Sequence, residues 1–541
     1  MKRTILCAWT AFLPVVAASS GIACSSSTNG TPDQSVPPDG GVPYLTELSV
    51  TGGPSITLTP SFSSNIYDYY VTCAAGANPL TVAMTASKGA TSSLTAPMKS
   101  ASAASQTNSF SVNEGDAIVA VASAKGASTE YWVRCLPHDF ATMTFVKHPE
   151  AGTAPPGYYL IGTKYDAQYA SYAEVLDSNG VPVWYFADNI PVRNDLQGVD
   201  SLIPGTISFY PALAQPFTIL HLSPAGPATY AGVPSLSLDV HELRVLPNGH
   251  VLVVNVPVTP GVDLTGLTLP LPNGTSEPLG PNSNIQNCQI MELDATGTPV
   301  WQWLATDHLD CVKDTIRNQP GENQPVSPNG GPIYDPIHCN SIDVDPANGN
   351  LLISARQLNS LFYIEKSTGK ILWKMGGSSY TKDGAQYIPV PDAFYEQHDA
   401  RLQPGWSEDC GGGQISVFDD ETNEPNAMRG VVYNVHLGAS DGDAGCKSAK
   451  GDAGAAWTAD VAWQYQGPSN SSSMGSFRIL PDGSRVIGWG APTSTLAMTE
   501  VDIHGNDLLD LSLAQGIVTY RALKVPLSAF DLNVLRQSVG K

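Results

Sequence analysis

A strand, a tight turn and a second strand ending in or near an aromatic recur along most of this sequence, and that recurrence limits the folds open to it. The copies are AEVLDSNGVPVWYF from Ala173, QIMELDATGTPVWQW from Gln289, FYIEKSTGKILWKM from Phe362 and a weaker MTEVDIHGNDLLDL from Met498. A second unit precedes it: HELRVLPNGHVLVVNV from His241, HCNSIDVDPANGNLLIS from His338, HDARLQPG from His398 leading to GQISVFDD, and SFRILPDGSRVIGWG from Ser476. Together the two units make four short strands joined by tight turns, as in SIDV, NLLISA, LFYIE and ILWKM within residues 335–379. Four such strands describe one blade of a propeller better than any helical unit. Counting copies predicts about six blades over roughly four hundred residues. The period is irregular because long loops are inserted, LTLPLPNGTSEPLGPNSN at 267–284 and residues 438–456. The expected fold is all-β: a six-bladed β-propeller over 138–541, preceded by a small β-sandwich.

Phase within the repeat points to a site. His241, His338 and His398 each open the first strand of a copy, standing six, eight and six residues before Pro247, Pro346 and Pro404. First strands of propeller blades line the central channel, so residues of one phase converge on one mouth of it. In the last copy that position is Gly475. A lone histidine of this kind reads as core packing; three at one phase predict a shared site. Asn340 sits beside His338, and Arg356 is read inside the second strand of that blade, where a cation needs a polar cavity or a partner. Three imidazoles could hold a metal, but no pair has i, i+2 or i, i+4 spacing and no HExxH stretch occurs. An arginine fits poorly beside a divalent cation, so no metal and no cofactor are expected. Imidazoles, an amide and a guanidinium suit a tetrahedral oxyanion instead, with one histidine as nucleophile and Arg356 as a two-pronged donor. Asp399, next to His398, is expected to fix backbone or support the site from behind, since neighbours along a strand face opposite ways.

The N-terminal portion reads as export machinery and a spacer. Lys2 and Arg3, an apolar run too short to span a bilayer and GIAC at 21–24 form a bacterial signal over 1–23. Gly21-Ile22-Ala23-Cys24 resembles a lipobox, with Gly21 in place of the usual leucine, so Cys24 is the expected lipidation site; ordinary cleavage to a free protein is the alternative. Residues 24–44 are a polar, Pro/Gly-rich tether. Residues 45–137 alternate apolar and polar between turns, and LTELSVTGG, SFSSNIYDYYVTC and ASTEYWVRC resemble the bacterial cadherin-like β-sandwich module. The implied localisation is the cell envelope, with membrane contact only through the lipid. A net charge of −22 argues against nucleic acid and anionic membrane surfaces as partners. In an oxidising compartment the cysteines should pair. Expected disulfides are Cys73–Cys135, ending two similar strands, and Cys410–Cys446, bracketing a Gly/Asp/Ala-rich excursion. Cys288–Cys311, flanking one blade edge, is the third, which leaves Cys339 as a packed thiol.

Asp335-Pro336-Ile337-His338-Cys339-Asn340-Ser341-Ile342, Leu351 to Arg356, Thr368-Gly369-Lys370-Ile371-Leu372-Trp373 with Gly376-Gly377, and Phe394-Tyr395-Glu396-Gln397-His398-Asp399 resemble the bacterial arylsulfate sulfotransferase family, over roughly residues 140–530. VHELRVLPNG around His241 and SVFDD around Asp419 fit it too. The resemblance implies a six-bladed propeller that moves a sulfuryl group from a phenolic sulfate ester to another phenol, without a nucleotide donor. It further implies that His398 is the nucleophile and becomes transiently sulfated. His241, His338, Asn340 and Arg356 would hold the sulfuryl oxygens, one of the histidines serving as acid–base partner. Small aryl sulfates and phenols are then the partners, and a homodimer is admissible. No GxxxxGK[ST] loop for a nucleotide sulfate occurs. Nor is there a C/S-x-P-x-R stretch of the sulfatase kind, since CLPHD at Cys135 lacks the arginine. Two other classes compete: a non-catalytic surface lipoprotein with a ligand-binding propeller, and a quinoprotein-type dehydrogenase. The latter would need eight regular repeats and a calcium–quinone site, neither of which the sequence offers. Trp184, Trp303 and Trp373 read as packing between blades.

Overall fold

The computed structural model describes residues 41–53, 56–164, 169–187, 196–211, 217–229, 238–270, 274–321, 331–382, 384–438 and 456–540. The leader, Cys24 and Cys446 lie outside these residues. The chain is all-β, with helices confined to a few short turns such as Leu532–Ser538, which Asp531 caps by accepting from the Asn533 and Val534 amides.

The repeat resolves as read. HELRV and VLVVN become strands Leu243–Val245 and Val251–Asn255, and QIMEL and PVWQWL become Gln289–Leu293 and Pro299–Leu304, all four in one sheet. The next sheet holds Cys339–Val344, Leu351–Ala355, Ser360–Ile364 and Ile371–Met375, plus a short fifth strand, Gln386–Ile388, paired parallel. His398–Leu402 and Ser476–Ile479 begin the two sheets that follow. Leu196–Asp200 begins the one preceding residue 243. One more is assembled from Tyr158–Gly162, Tyr172–Leu176 and Pro182–Ala187, completed by Ala522–Val525 against Tyr158–Gly162.

Numbered from this last one, six sheets lie in sequence among the described residues, and each shares an apolar core with the next. Trp184 and Phe209 join the first to the second, Ile219 and Val253 the second to the third, and Trp303 and Ile353 the third to the fourth. Trp373 and Tyr433 join the fourth to the fifth, and Phe418 and Trp489 the fifth to the sixth. Tyr159 and Met498 return the sixth to the first. The three tryptophans expected between blades are therefore buried between sheets. Trp303 also donates its indole N–H to the Gly369 carbonyl of the neighbouring sheet at 2.9 Å. A buried indole usually finds such a partner, although those of Trp184 and Trp373 have none among the described residues.

Residues 45–136 form two further sheets over a separate core that includes Leu48, Val82, Tyr131 and Val133. Asp68–Thr72 and Ala127–Leu136 run parallel there, Val71 opposite Cys135, which brings Cys73 to Cys135 with Cα atoms 5.5 Å apart in a disulfide. Arg536 ties this unit to the six-sheet body through Asp68, at 2.6 and 2.8 Å.

Several expectations are corrected. Cys288 bonds to Cys339, not Cys311, and Cys311 is a buried free thiol. Proximity along the chain misled here: Cys339 begins an inner strand, and packing of the third sheet on the fourth brings Cys288 to it. Cys410 is disulfide-bonded. The stretch 267–284 is no plain loop. Thr268–Pro270 and Ser276–Pro278 form a hairpin, and Ser283–Gln286 joins a small extra sheet with Val258–Val262, Ile333–Asp335 and Gln319–Pro320. Arg356 lies just past its strand, opening a single 3-10 turn.

Candidate active site

The inner strands of the third, fourth and fifth sheets deliver the three histidines to one place. His241 stands two residues before Leu243–Val245, His338 one residue before Cys339–Val344, and His398 begins its strand. His241 and His338 meet Nε2 to Nε2 at 3.1 Å, their rings nearly perpendicular. The His398 ring lies over that of His241 at 6.1 Å between centroids, and Tyr520 stands edge-on to both. The sixth sheet contributes no imidazole for a packing reason. A Cβ on Gly475 would come within 2.1 Å of the Phe418 ring, and φ there is +121°.

Each imidazole is held from behind by a carboxylate. His241 Nδ1 contacts Asp239, His338 Nδ1 contacts Asp335, and His398 Nδ1 lies 2.5 Å from Asp420. With every Nδ1 so engaged, the Nε2 atoms of His241 and His338 face each other. Burial drives the His398 pKa well below the ordinary imidazole value, and Arg356, His241 and His338 push it the same way. Burial raises the Asp420 carboxyl. A neutral His398 that donates Nδ1–H to an ionised Asp420 keeps its lone pair on Nε2, whereas an Asp420 hydroxyl donating to Nδ1 would put the ring proton on Nε2.

Arg356 is buried and paired with Glu396, and it donates to the Gln319 side chain at 3.3 Å and the Ser472 carbonyl at 3.2 Å. Its Nε–H has no partner among the described residues. An unmet buried donor costs about 1–3 kcal/mol, which a ligand oxygen would recover. Asn340 is fully buried, and its amide donates to the Gln397 carbonyl at 2.6 Å, so it braces the residue just before His398. Backbone conformation is unusual at the same rim: His338, Glu396 and Asp399 all have φ between +52° and +55°. Left-handed backbone at non-glycine residues costs about 1–3 kcal/mol apiece and persists where surroundings impose it.

Directly behind the histidines lies a buried ionic network. Glu242 pairs with Arg401 and with Arg521 at 3.0 Å. Asp399 takes Arg401 at 2.8 Å and Arg478 at 2.7 Å, and Arg521 donates to the His241 carbonyl at 2.7 Å. Asp399 thus does support the site from behind, as expected. No group of three or more potential ligands with metal-binding geometry occurs among the described residues.

Sequence reasoning found His241, His338, His398, Asn340 and Arg356, and all five fall at this rim. It missed the carboxylate partners, Glu396, Tyr520 and the arginine network. A signal for part of that network was present: His241-Glu242-Leu243-Arg244 and His398-Asp399-Ala400-Arg401 share an H-[DE]-x-R pattern, and Arg478 stands three residues after Gly475 as Arg401 does after His398.

Three imidazoles, a buried guanidinium and their carboxylate partners thus meet at one rim, an arrangement able to receive a small oxyanion. Comparison with known families agrees. The arylsulfotransferase (ASST) family matches residues 225–510, more than half of the chain, and the chain belongs to that family. Aryl sulfotransfer, with a small-molecule aryl donor and acceptor, is the chemistry of that family. A search of curated proteins found no match. Among solved structures, a Bacteroides caccae protein of unknown function shares 12% identity over 69% of this chain and 99% of its own, TM-score 0.33. A quinonprotein alcohol dehydrogenase-like protein from Bacteroides thetaiotaomicron shares 10% over 89% and 99%, TM-score 0.28. An auxiliary nutrient binding protein from the same organism shares 10% over 87% and 97%, TM-score 0.30. Likeness at this level carries no weight for fold or function.

Proposed function

We propose that this chain transfers a sulfuryl group from an aryl sulfate ester to a phenol in two steps, through a covalent sulfohistidine on His398. The observation that carries the reading is the convergence of three imidazole rings, each with its Nδ1 bound by a carboxylate. Family membership supplies the chemical class. In the first step the His398 Nε2 lone pair attacks sulfur and the ester S–O bond breaks, the departing oxygen taking a proton from a neighbouring histidine to leave as the phenol. In the second a phenol oxygen gives its proton back to that histidine as it attacks the same sulfur, and the electrons of the N–S bond return to Nε2. Donors fixed in advance around three charged oxygens lower both barriers. Arg356, with its unmet Nε–H, fills that role. Asn340 adds its second amide hydrogen while its first holds the Gln397 carbonyl.

The same reading takes the six sheets as the blades of a propeller, supported by the six shared cores that close on themselves, and takes residues 45–137 as a cadherin-like sandwich. It places the protein in the cell envelope, lipid-anchored through Cys24 behind a signal over 1–23 and a tether over 24–44, with Cys410 paired to Cys446. Among the described residues no helix is long and apolar enough to cross a membrane.

The test is intact-mass measurement after adding 4-nitrophenyl sulfate without acceptor. Wild-type protein should carry an added SO3, lost on adding phenol, and His398→Ala should neither carry it nor transfer. An active enzyme that never carries the adduct would overturn the assignment.

A further inference from the structure

The contact between His241 and His338 holds a chemical consequence. An Nε2···Nε2 approach of 3.1 Å between two imidazoles is a hydrogen bond only if one proton lies between the two nitrogens. The Nδ1 contacts with Asp239 and Asp335 need one proton each, because an ionised carboxylate has only acceptor atoms. Three contacts thus require three protons, and two neutral imidazoles bring two. The third is an extra proton shared by the pair, wherever each proton sits along its bond. Asp239 and Asp335 balance the resulting charge, and Asp239 is itself held below the ordinary carboxylate range: burial alone would raise it, and the charge of His241 with its hydrogen bonds outweighs that.

This inference rests on the sulfuryl-transfer reading and deepens it. We infer that Asp239 and Asp335 lock His241 and His338 into a pair sharing one Nε2 proton, and that this pair is the acid–base group of both steps. When His398 attacks, the ester S–O bond breaks and the departing phenolate oxygen takes the shared proton, leaving two neutral imidazoles. The incoming phenol returns a proton to the pair as its oxygen attacks sulfur, and the N–S bond breaks with its electrons going back to His398 Nε2. Proton and electron counts close over one cycle with no further reagent. Division of labour follows: His398, stacked on His241 but bound to its own Asp420, keeps its lone pair for sulfur, while the proton stays one ring away. Asp239 and Asp335 are positioning residues, acting only through the rings they hold.

A proton donor matters most to a leaving group that departs badly as an anion. The experiment compares the rate of adduct formation from 4-nitrophenyl sulfate and from phenyl sulfate in wild type, Asp335→Asn and Asp239→Asn. Loss of a general acid typically costs roughly 10²–10⁴-fold. The variants should lose on that order with phenyl sulfate and under about tenfold with 4-nitrophenyl sulfate, whose anion leaves unaided. Equal losses on both donors, or no loss on either, would overturn the shared-proton pair while leaving sulfuryl transfer standing. Absence of any adduct in the wild type would overturn the underlying reading, and the pair's role with it. If a variant fails to fold, nitrogen-15 NMR of the wild-type histidines decides the matter. Protonated Nδ1 on both His241 and His338 with one Nε2 proton per pair supports the inference, and two protonated or two bare Nε2 atoms overturn it.

Discussion

Replacing Asp399 by Asn keeps the shape of the side chain and removes its charge from the most crowded ionic position in the molecule. Asp399 Oδ1 takes Arg478 at 2.7 Å and Arg401 at 2.8 Å, and Oδ2 takes Arg478 Nε at 2.8 Å and the Phe477 amide at 3.0 Å. Those bonds join the inner strand of the fifth sheet to that of the sixth. Without the carboxylate, Arg401, Arg478 and Arg521 face Glu242 as their remaining strong counter-charge in the network. Removing one partner of a buried pair costs about 3–5 kcal/mol, because the other charge stays behind uncompensated. Against a typical total of about 5–15 kcal/mol, that is a large share. Urea unfolding followed by tryptophan fluorescence measures it at pH 7. The pH dependence gives a second reading. Burial would raise the Asp399 carboxyl, but Arg478, Arg401 and Arg521 outweigh it and the net shift is downward. A depressed carboxylate contributes stability above the unfolded value, about 3.9, and loses it as pH falls through the folded value. The gap between wild type and variant should hold from pH 5 to 8 and close below about pH 4. A loss under about 1 kcal/mol at pH 7, with an unchanged denaturant slope, would refute the idea that this network holds the inner strands together.

Two further outcomes are expected. Peptide mapping without reduction should join Cys288 to Cys339 and find Cys311 as a thiol that labels only on unfolding, since burial pushes it up to about 12; replacing Cys288 and Cys339 by Ser should cost about 2–4 kcal/mol. The rate of adduct formation should stay level as pH falls through about 6.5, the ordinary imidazole value, because burial keeps His398 neutral below it. A profile that halves at about pH 6.5 would contradict that environment.

Much of the architecture was legible because strands and turns leave local marks. PNG, DATG, STG and PDG each sit between apolar alternations, and each proved to join two strands of one sheet. The histidines were legible because a repeat converts equal phase into equal position. Their carboxylates were not, since Asp239, Asp335 and Asp420 lie two and three residues before and twenty-two after their partners, with no common offset. The Cys288–Cys339 bond was hidden for a related reason: it depends on which sheets are neighbours, and nothing local to either cysteine says so. Leu532–Ser538 carries a start signal in Asp531 but spans too few residues for any period to show.

The first sheet draws its inner strand, Ala522–Val525, from a part of the chain far beyond its other three, and the sixth borrows Met143–Lys147 as its outermost strand. Such a fold has a built-in order of assembly. Sheets two to five can form while the chain is still being made, but the first sheet and its core shared with the sixth stay incomplete until residue 525 is available. Tyr520 and Arg521 arrive with that same segment, and both bond to the His241 carbonyl. The site is thus completed only when that last segment docks, so a chain still short of it would hold its histidines without the wall that sets them.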